Sequence, residues 1–221
     1  MKIERKSLLD STLDALRGEI VSGRLLPGER ITEVKLAADL GIGRSTVRSA
    51  LLELEKDDLV QRARYSAWTV AQLTHKVVWE VYTLRAAFEG LAVRILAKNL
   101  NEDARAELLD VYGRLDGAEN RGNESERVHA DLDFHRAIVR LSGHDSLARQ
   151  YAVLGQKIEW IYRSSEHQSP GRIVLPDWHK PVLEAILARD PDQAEKAIRT
   201  ILEAALADDL ADFANLTKKR A

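Results

Sequence analysis

The stretch Leu36-Ala37-Ala38-Asp39-Leu40-Gly41-Ile42-Gly43-Arg44-Ser45-Thr46-Val47-Arg48-Ser49-Ala50-Leu51 decides the fold. Leu36, Ala37 and Leu40 recur at the i, i+1, i+4 spacing of one buried helical face. The pattern breaks at Gly41 and restarts at Gly43 or Arg44, so the spacing predicts helix, tight turn, helix. In the second helix Val47, Ala50, Leu51 and Leu54 share one side at 3.6-residue periodicity, which leaves Arg44, Ser45, Arg48 and Ser49 on the other. In a helix-turn-helix the opening residues of the second helix enter the major groove, where arginine reads guanine edges and short hydroxyls bind phosphates or bases. Taken alone, Arg44 and Arg48 read as a solvated i, i+4 pair. The flanking sequence turns the reading toward a DNA-recognition helix.

Upstream, residues 7–22 place Leu8, Leu9, Leu13, Leu16, Ile20 and Val21 on one helical stripe that closes at Ser22-Gly23. A turn on Pro27-Gly28 leads into a short extended piece ending near Ile31. Thr32 is placed to cap the next helix, with Glu33 at its positive end. Downstream, Leu59-Val60-Gln61-Arg62 and Trp68-Thr69-Val70 read as two short strands around Ala63-Arg64-Tyr65-Ser66-Ala67. A hairpin of this kind is a wing, and Arg62 and Arg64 are its candidate phosphate or minor-groove contacts. Tyr65 fits packing and DNA contact equally.

Residues 71–74 form a hinge, with Thr74 as the cap of the long helix beyond it. From there on the periodicity is helical throughout. A helix over 75–98 carries more than one apolar stripe, which predicts burial against neighbours or a second subunit. Further helices are expected from Asn101, over 124–142 behind a capping-box-like Asn123 and Glu126, over 145–164, around 175–188, and from Asp190-Pro191 onward. Ser164 to Gly171 interrupts the pattern, and Lys218-Lys219-Arg220 reads as a frayed tail. The expected fold is mainly α: a winged helix-turn-helix of three helices and a small β-wing over residues 1–72, and an all-α six-helix bundle over 73–221.

Composition agrees with two globular domains. The chain has 221 residues, of which 45% are hydrophobic and 31% charged, enough to give each domain its own core. There are no cysteines, which excludes disulfides, thiolate zinc fingers and cysteine nucleophiles. No apolar run approaches the ~20 residues of a membrane helix, and the N-terminus lacks a signal-peptide core, so the expected location is cytoplasmic. The net charge of −2 leaves DNA binding to a local basic face rather than to overall charge.

The order Leu16-Arg17, Ile20, Gly23-Arg24-Leu25, Pro27-Gly28-Glu29, Leu36-Ala37, Gly41-Ile42-Gly43-Arg44-Ser45-Thr46-Val47-Arg48, Ala50-Leu51, Leu54 and Leu59-Val60 resembles the GntR family of bacterial transcription regulators. The resemblance covers about the first 72 residues. It implies DNA contacts from Arg44, Ser45, Thr46 and Arg48 on the recognition helix and from Arg64 at the wing. Two positions depart from the family pattern: Val34 stands where an arginine is frequent, and Tyr65 and Ser66 stand where glycine is common.

The second half resembles the FCD effector domain of the FadR-like branch of that family. Arg85 with Glu89, Asp131-Leu132-Asp133-Phe134-His135, Leu141-Ser142-Gly143, and His179 followed by Leu183, Ala185, Ile186, Asp190 and Ala194 carry the likeness. Asp131 and His135 lie at i, i+4 and emerge from one helix face about a turn apart. They can address one ion, or form a hydrogen-bonded pair with His179 as a satisfied buried histidine. The resemblance maps metal ligands onto Asp131, His135 and His179 and implies a divalent cofactor (Zn, Ni or Mn), the alternative being a metal-free pocket. A fourth family position falls on Ile201, which has no lone pair to offer; His144 and His167 are possible substitutes. Arg85 faces an anionic effector in the same pocket or pairs with Glu89, and Arg163, beside Trp160 and Tyr162, is a weaker candidate.

The sequence is therefore read as a ligand-responsive transcription regulator, by resemblance a repressor, with operator DNA, a small effector such as a carboxylate, and a second copy of the chain as partners. The effector site is Arg85, Asp131, His135 and His179. The alternative is a metal-dependent hydrolase or lyase using Asp131, His135 and His179. Against it, no serine nucleophile motif, phosphate loop or His-Glu-x-x-His run is present.

Overall fold

The computed structural model describes residues 7–62, 67–121, 124–166 and 178–219. The chain divides into two compact units, Met1–Leu73 and Thr74–Ala221.

In the first unit α1 spans Leu8–Val21, β1 Arg30–Ile31, α2 Glu33–Leu40, α3 Arg44–Lys56, β2 Val60–Arg62 and β3 Trp68–Val70. Each boundary has a local cause. Ser7 caps α1 in a capping box with Asp10: the Asp10 amide donates to Ser7 Oγ at 3.0 Å and the Ser7 amide to Asp10 Oδ2 at 3.2 Å. Thr32 caps α2, its Oγ1 accepting from the Lys35 amide at 3.2 Å. Gly41 ends that helix at φ 66°, a left-handed conformation that glycine adopts without steric cost, and this lets α3 start soon after it. Val47, Ala50, Leu51 and Leu54 form the buried face of α3, which packs on α1 beside Leu16 and Ile20.

The extended piece before α2 has a larger part than its two residues announce. It is the third strand of an antiparallel sheet ordered β1-β3-β2, pairing Arg30 with Thr69 and Ile31 with Trp68, while β2 pairs Val60 with Val70 and Arg62 with Trp68. Leu59 lies just outside β2, although its carbonyl still accepts from the Ala71 amide. The wing tip, residues 63–66 with Arg64, Tyr65 and Ser66, falls outside the described residues.

The second unit contains six helices among the described residues: α4 His75–Asn99, α5 Glu102–Arg121, α6 Glu124–Leu141, α7 Asp145–Glu166, α8 Lys180–Leu187 and α9 Pro191–Lys219. Thr74 Oγ1 caps α4 by accepting from the Val77 amide, and Asn101 Oδ1 accepts from Ala104 at the start of α5. Asp190 caps α9, with Oδ1 accepting from the amides of Asp192 at 3.1 Å and Gln193 at 3.0 Å. The capping pair expected at Asn123 lies outside the described residues, as does the start of the helix expected around 175, which here opens at Lys180. Helix α9 runs on through Lys218 and Lys219, so those two lysines extend a helix in place of the expected frayed tail.

Helix α4 is the axle of this unit, packing against α6, α7, α8 and α9. Val78, Val81, Ala92, Val93 and Leu96 are buried on it, whereas Trp79, Leu84 and Leu91 remain exposed along another face. No described helix is long and apolar enough to cross a membrane.

Replacing Asp190 by alanine removes the acceptor of two first-turn amides and should cost about 1 kcal/mol. Leu54→Ala, in the sealed face of α3, should cost about 2–5 kcal/mol. Urea denaturation followed by circular dichroism checks both, and an unchanged midpoint in either variant contradicts the corresponding role.

Candidate functional site

In the first unit the start of α3 is open. Its N-cap is Gly43, with no side-chain cap hydrogen bond, so no side chain competes for the first-turn amides, which favour an anion. Arg44, Ser45, Arg48 and Ser49 are exposed and Thr46 is half-buried. Arg48, with its side chain 56% exposed, has Nε 3.8 Å from Glu33 Oε1 at the start of α2. That same carboxylate oxygen accepts from Trp68 Nε1 at 3.2 Å. Glu33 thus ties α3 and β3 to one point. Arg62 is exposed and stacks its guanidinium over the Trp68 ring, 5.5 Å from the centroid, within the reach of a cation–π contact.

In the second unit the sequence-predicted residues Arg85, Asp131, His135 and His179 are all buried. Helix α6 presents Asp131 and His135 one turn apart, and His179 enters from the turn just before α8. His179 Nε2 lies 3.0 Å from Asp131 Oδ1 and 3.3 Å from His135 Nε2, while His135 Nε2 is 3.9 Å from that carboxylate oxygen. One donor atom from each residue falls within 4.8 Å of the others.

This donor set fits a divalent ion. Two imidazole nitrogens bound to one tetrahedral ion at about 2.05 Å sit roughly 3.3 Å apart, and Asp131 Oδ2 is buried without a hydrogen-bond partner among the described residues. Ile201 is buried on α9 and contributes no donor. His144 is not part of the cluster: it is exposed and its Nδ1 accepts from the Leu147 amide at the start of α7. His167 lies outside the described residues.

Behind the histidines stands a group that periodicity did not assign to the site. Glu89, fully buried on α4, has Oε2 2.5 Å from His135 Nδ1, and its Oε1 accepts from Arg85 Nε at 2.6 Å and from Tyr151 at 2.6 Å. Arg85 therefore pairs with Glu89 and also donates through Nη1 to the Tyr162 hydroxyl at 3.0 Å. Its Nη2 is buried with no partner among the described residues. One turn earlier, the Tyr82 hydroxyl donates to Asp209 on α9 at 2.5 Å.

Burial pushes the pKa of Glu89 up more than any single neighbour pulls it down, but the Arg85 guanidinium, His135 and the Tyr151 hydroxyl together outweigh it and hold the carboxyl at about 2. Burial also opposes ionisation of Asp131, yet the neighbouring His135 and the hydrogen bond from His179 bring it below the usual carboxylate range. For His135 burial prevails and lowers the pKa, favouring the neutral ring, which is the form that ligates a metal. Arg163 is engaged elsewhere, with Glu159 at 3.0 Å and His129 Nε2 at 3.0 Å. Trp160 is a buried core residue.

Residues 9–70 match the family described as bacterial regulatory proteins, gntR family, and residues 80–204 match the FCD domain. The chain is 29% identical over 197 residues to the probable D-xylose utilization operon transcriptional repressor of Paenarthrobacter nicotinovorans, across 89% of this chain and 86% of that one. It is 33% identical over 187 residues to an uncharacterized HTH-type transcriptional regulator of Bacillus subtilis (strain 168), across 83% of this chain and 82% of that one. Its backbone resembles that of E. coli McbR/YncC with a TM-score of 0.78 at 23% identity, covering 95% of this chain and all of that one, a likeness of fold. With both matches in place along its length, the chain belongs to the GntR family of bacterial transcription regulators, in the branch that carries an FCD domain.

Proposed function

We propose that this regulator is a cytoplasmic homodimeric repressor that grips operator DNA through the start of α3 and releases it when a small carboxylate enters the buried polar site of the second unit. As a member of a family of transcription regulators it is not an enzyme, and the hydrolase or lyase alternative falls with that assignment.

The observation that carries the reading is the two-sided character of α3, exposed cations and hydroxyls above a sealed apolar underside. Arg44, Ser45, Thr46 and Arg48 are the proposed base and phosphate contacts, with Arg62 and Arg64 as wing contacts. A single recognition helix reads only a few base pairs, so two copies related by a two-fold axis are needed to specify an operator.

For the effector, the support is a buried guanidinium whose Nη2 has no hydrogen-bond partner among the described residues, linked through Glu89 to a cluster of one carboxylate and two imidazoles. Asp131, His135 and His179 would hold a divalent ion, which when bound supplies a positive docking point for a carboxylate. Arg85 offers the carboxylate a second positive contact through Nη2. An effector regulates only by binding the DNA-competent and DNA-incompetent arrangements with different affinity.

Arg44→Ala and Arg48→Ala should each weaken operator binding by about 1–3 kcal/mol if they remove a base contact. Fluorescence anisotropy on operator duplexes over a salt series measures this, and unchanged affinity removes the residue concerned from the interface. Elemental analysis of protein purified without chelators should find stoichiometric divalent metal that His135→Ala loses. Absence of metal from both proteins would leave the cluster a metal-free polar site.

A further inference from the structure

We infer that Glu89 sets the tautomer of His135, fixing its proton on Nδ1 and turning the Nε2 lone pair into the Asp131–His179 cluster, and so decides whether that cluster can accept a cation. Two independent sets of distances lead there. On one side of the ring, Nδ1 faces Glu89 Oε2 at 2.5 Å. An ionised carboxylate only accepts hydrogen bonds, so Nδ1 must donate. On the other side, the Nε2 atoms of His135 and His179 face each other at 3.3 Å. Two N–H groups cannot point at one another, so at most one of these nitrogens carries a proton. Asp131 Oδ1 chooses between them: at 3.0 Å it accepts from His179 Nε2, and at 3.9 Å it is out of reach of His135 Nε2. The lone pair belongs to His135 on both counts.

Glu89 is itself held in this role. Arg85 Nε and the Tyr151 hydroxyl both donate to Oε1, which leaves Oε2 to His135. Glutamine at this position would have one carbonyl oxygen for these neighbours. The two donors on the Arg85 and Tyr151 side would claim it, and its NH2 group would face His135 Nδ1. Nδ1 would then have to accept, the proton would move to Nε2, and the atom meant for a metal would carry a hydrogen. Glu89 is thus a positioning residue, an outer partner of the carboxylate–histidine–metal kind. The consequence for metal binding rests on the reading of the cluster as a metal site, whereas the tautomer itself does not.

The test is long-range 15N–1H correlation of the histidine rings in full-length, chelator-treated protein, with His135 assigned by its loss in His135→Ala. Wild type should show a protonated Nδ1 and an unprotonated Nε2. Glu89→Gln should show the reverse and bind Zn2+ about 10–100-fold more weakly in competition with a chromophoric chelator. A wild-type His135 that is protonated on Nε2, or on both nitrogens, overturns the inference, as does a folded Glu89→Gln with the wild-type tautomer. If Glu89→Gln does not fold, the wild-type spectrum decides alone. A wild type that has the Nδ1–H ring yet takes up no Zn2+ upholds the role of Glu89 and removes the metal reading.

Discussion

The second unit depends on an ion pair that water does not reach. Arg85 and Glu89 are both fully buried, one helical turn apart on α4, and meet at 2.6 Å. Taking two charges out of water is costly, and it is tolerated only where each remaining polar atom finds a partner. Most do here: Tyr162 on one Arg85 nitrogen, Tyr151 and His135 on the two Glu89 oxygens. Helices α6 and α7 are thereby bound to one turn of α4 by charge as well as by apolar packing. A change in either member would leave the other an unpaired buried charge, a loss of about 3–5 kcal/mol. The arrangement of the site and the integrity of the bundle are the same set of contacts.

In the first unit a single carboxylate has a comparable place. Glu33 opens α2 and faces Arg48 on α3 and Trp68 on β3. The sequence suggests it only as a charge favourable to the helix start, since its partners lie far along the chain. Arg62 in turn stacks on Trp68. Helix and wing cations are thus referred to a common indole and a common carboxylate.

Legibility in the sequence tracks the range of the forces involved. The faces of α3, the caps at Thr32, Thr74 and Asp190, and the six helices of the second half rest on spacings of three or four residues and can be read directly. The extended piece ending at Ile31 can be read too, but its place in a sheet cannot, because two residues carry no alternation and its partner Trp68-Thr69 lies far downstream. Asp131 and His135 share a helix turn and can be paired on paper, and the family resemblance brings His179 to them. Glu89 is visible only as a neighbour of Arg85. Its approach to His135 spans 46 positions, and no local pattern encodes it. His144 misleads for the opposite reason, since histidine is a ligand type whose nitrogen here serves as a helix cap.

Helix α4 has a mechanical aspect beyond its packing. It is one uninterrupted helix of 25 residues that begins directly after Thr74, the first residue of the second unit. At 1.5 Å per residue, Glu89 lies about 22 Å along the rod from Thr74. The rod therefore has the buried ion pair near its middle and the chain's crossing between units at its start. A tilt of about 5° about Glu89 carries the start of the helix by roughly 2 Å, more than the width of the distance window that separates a made hydrogen bond from a broken one.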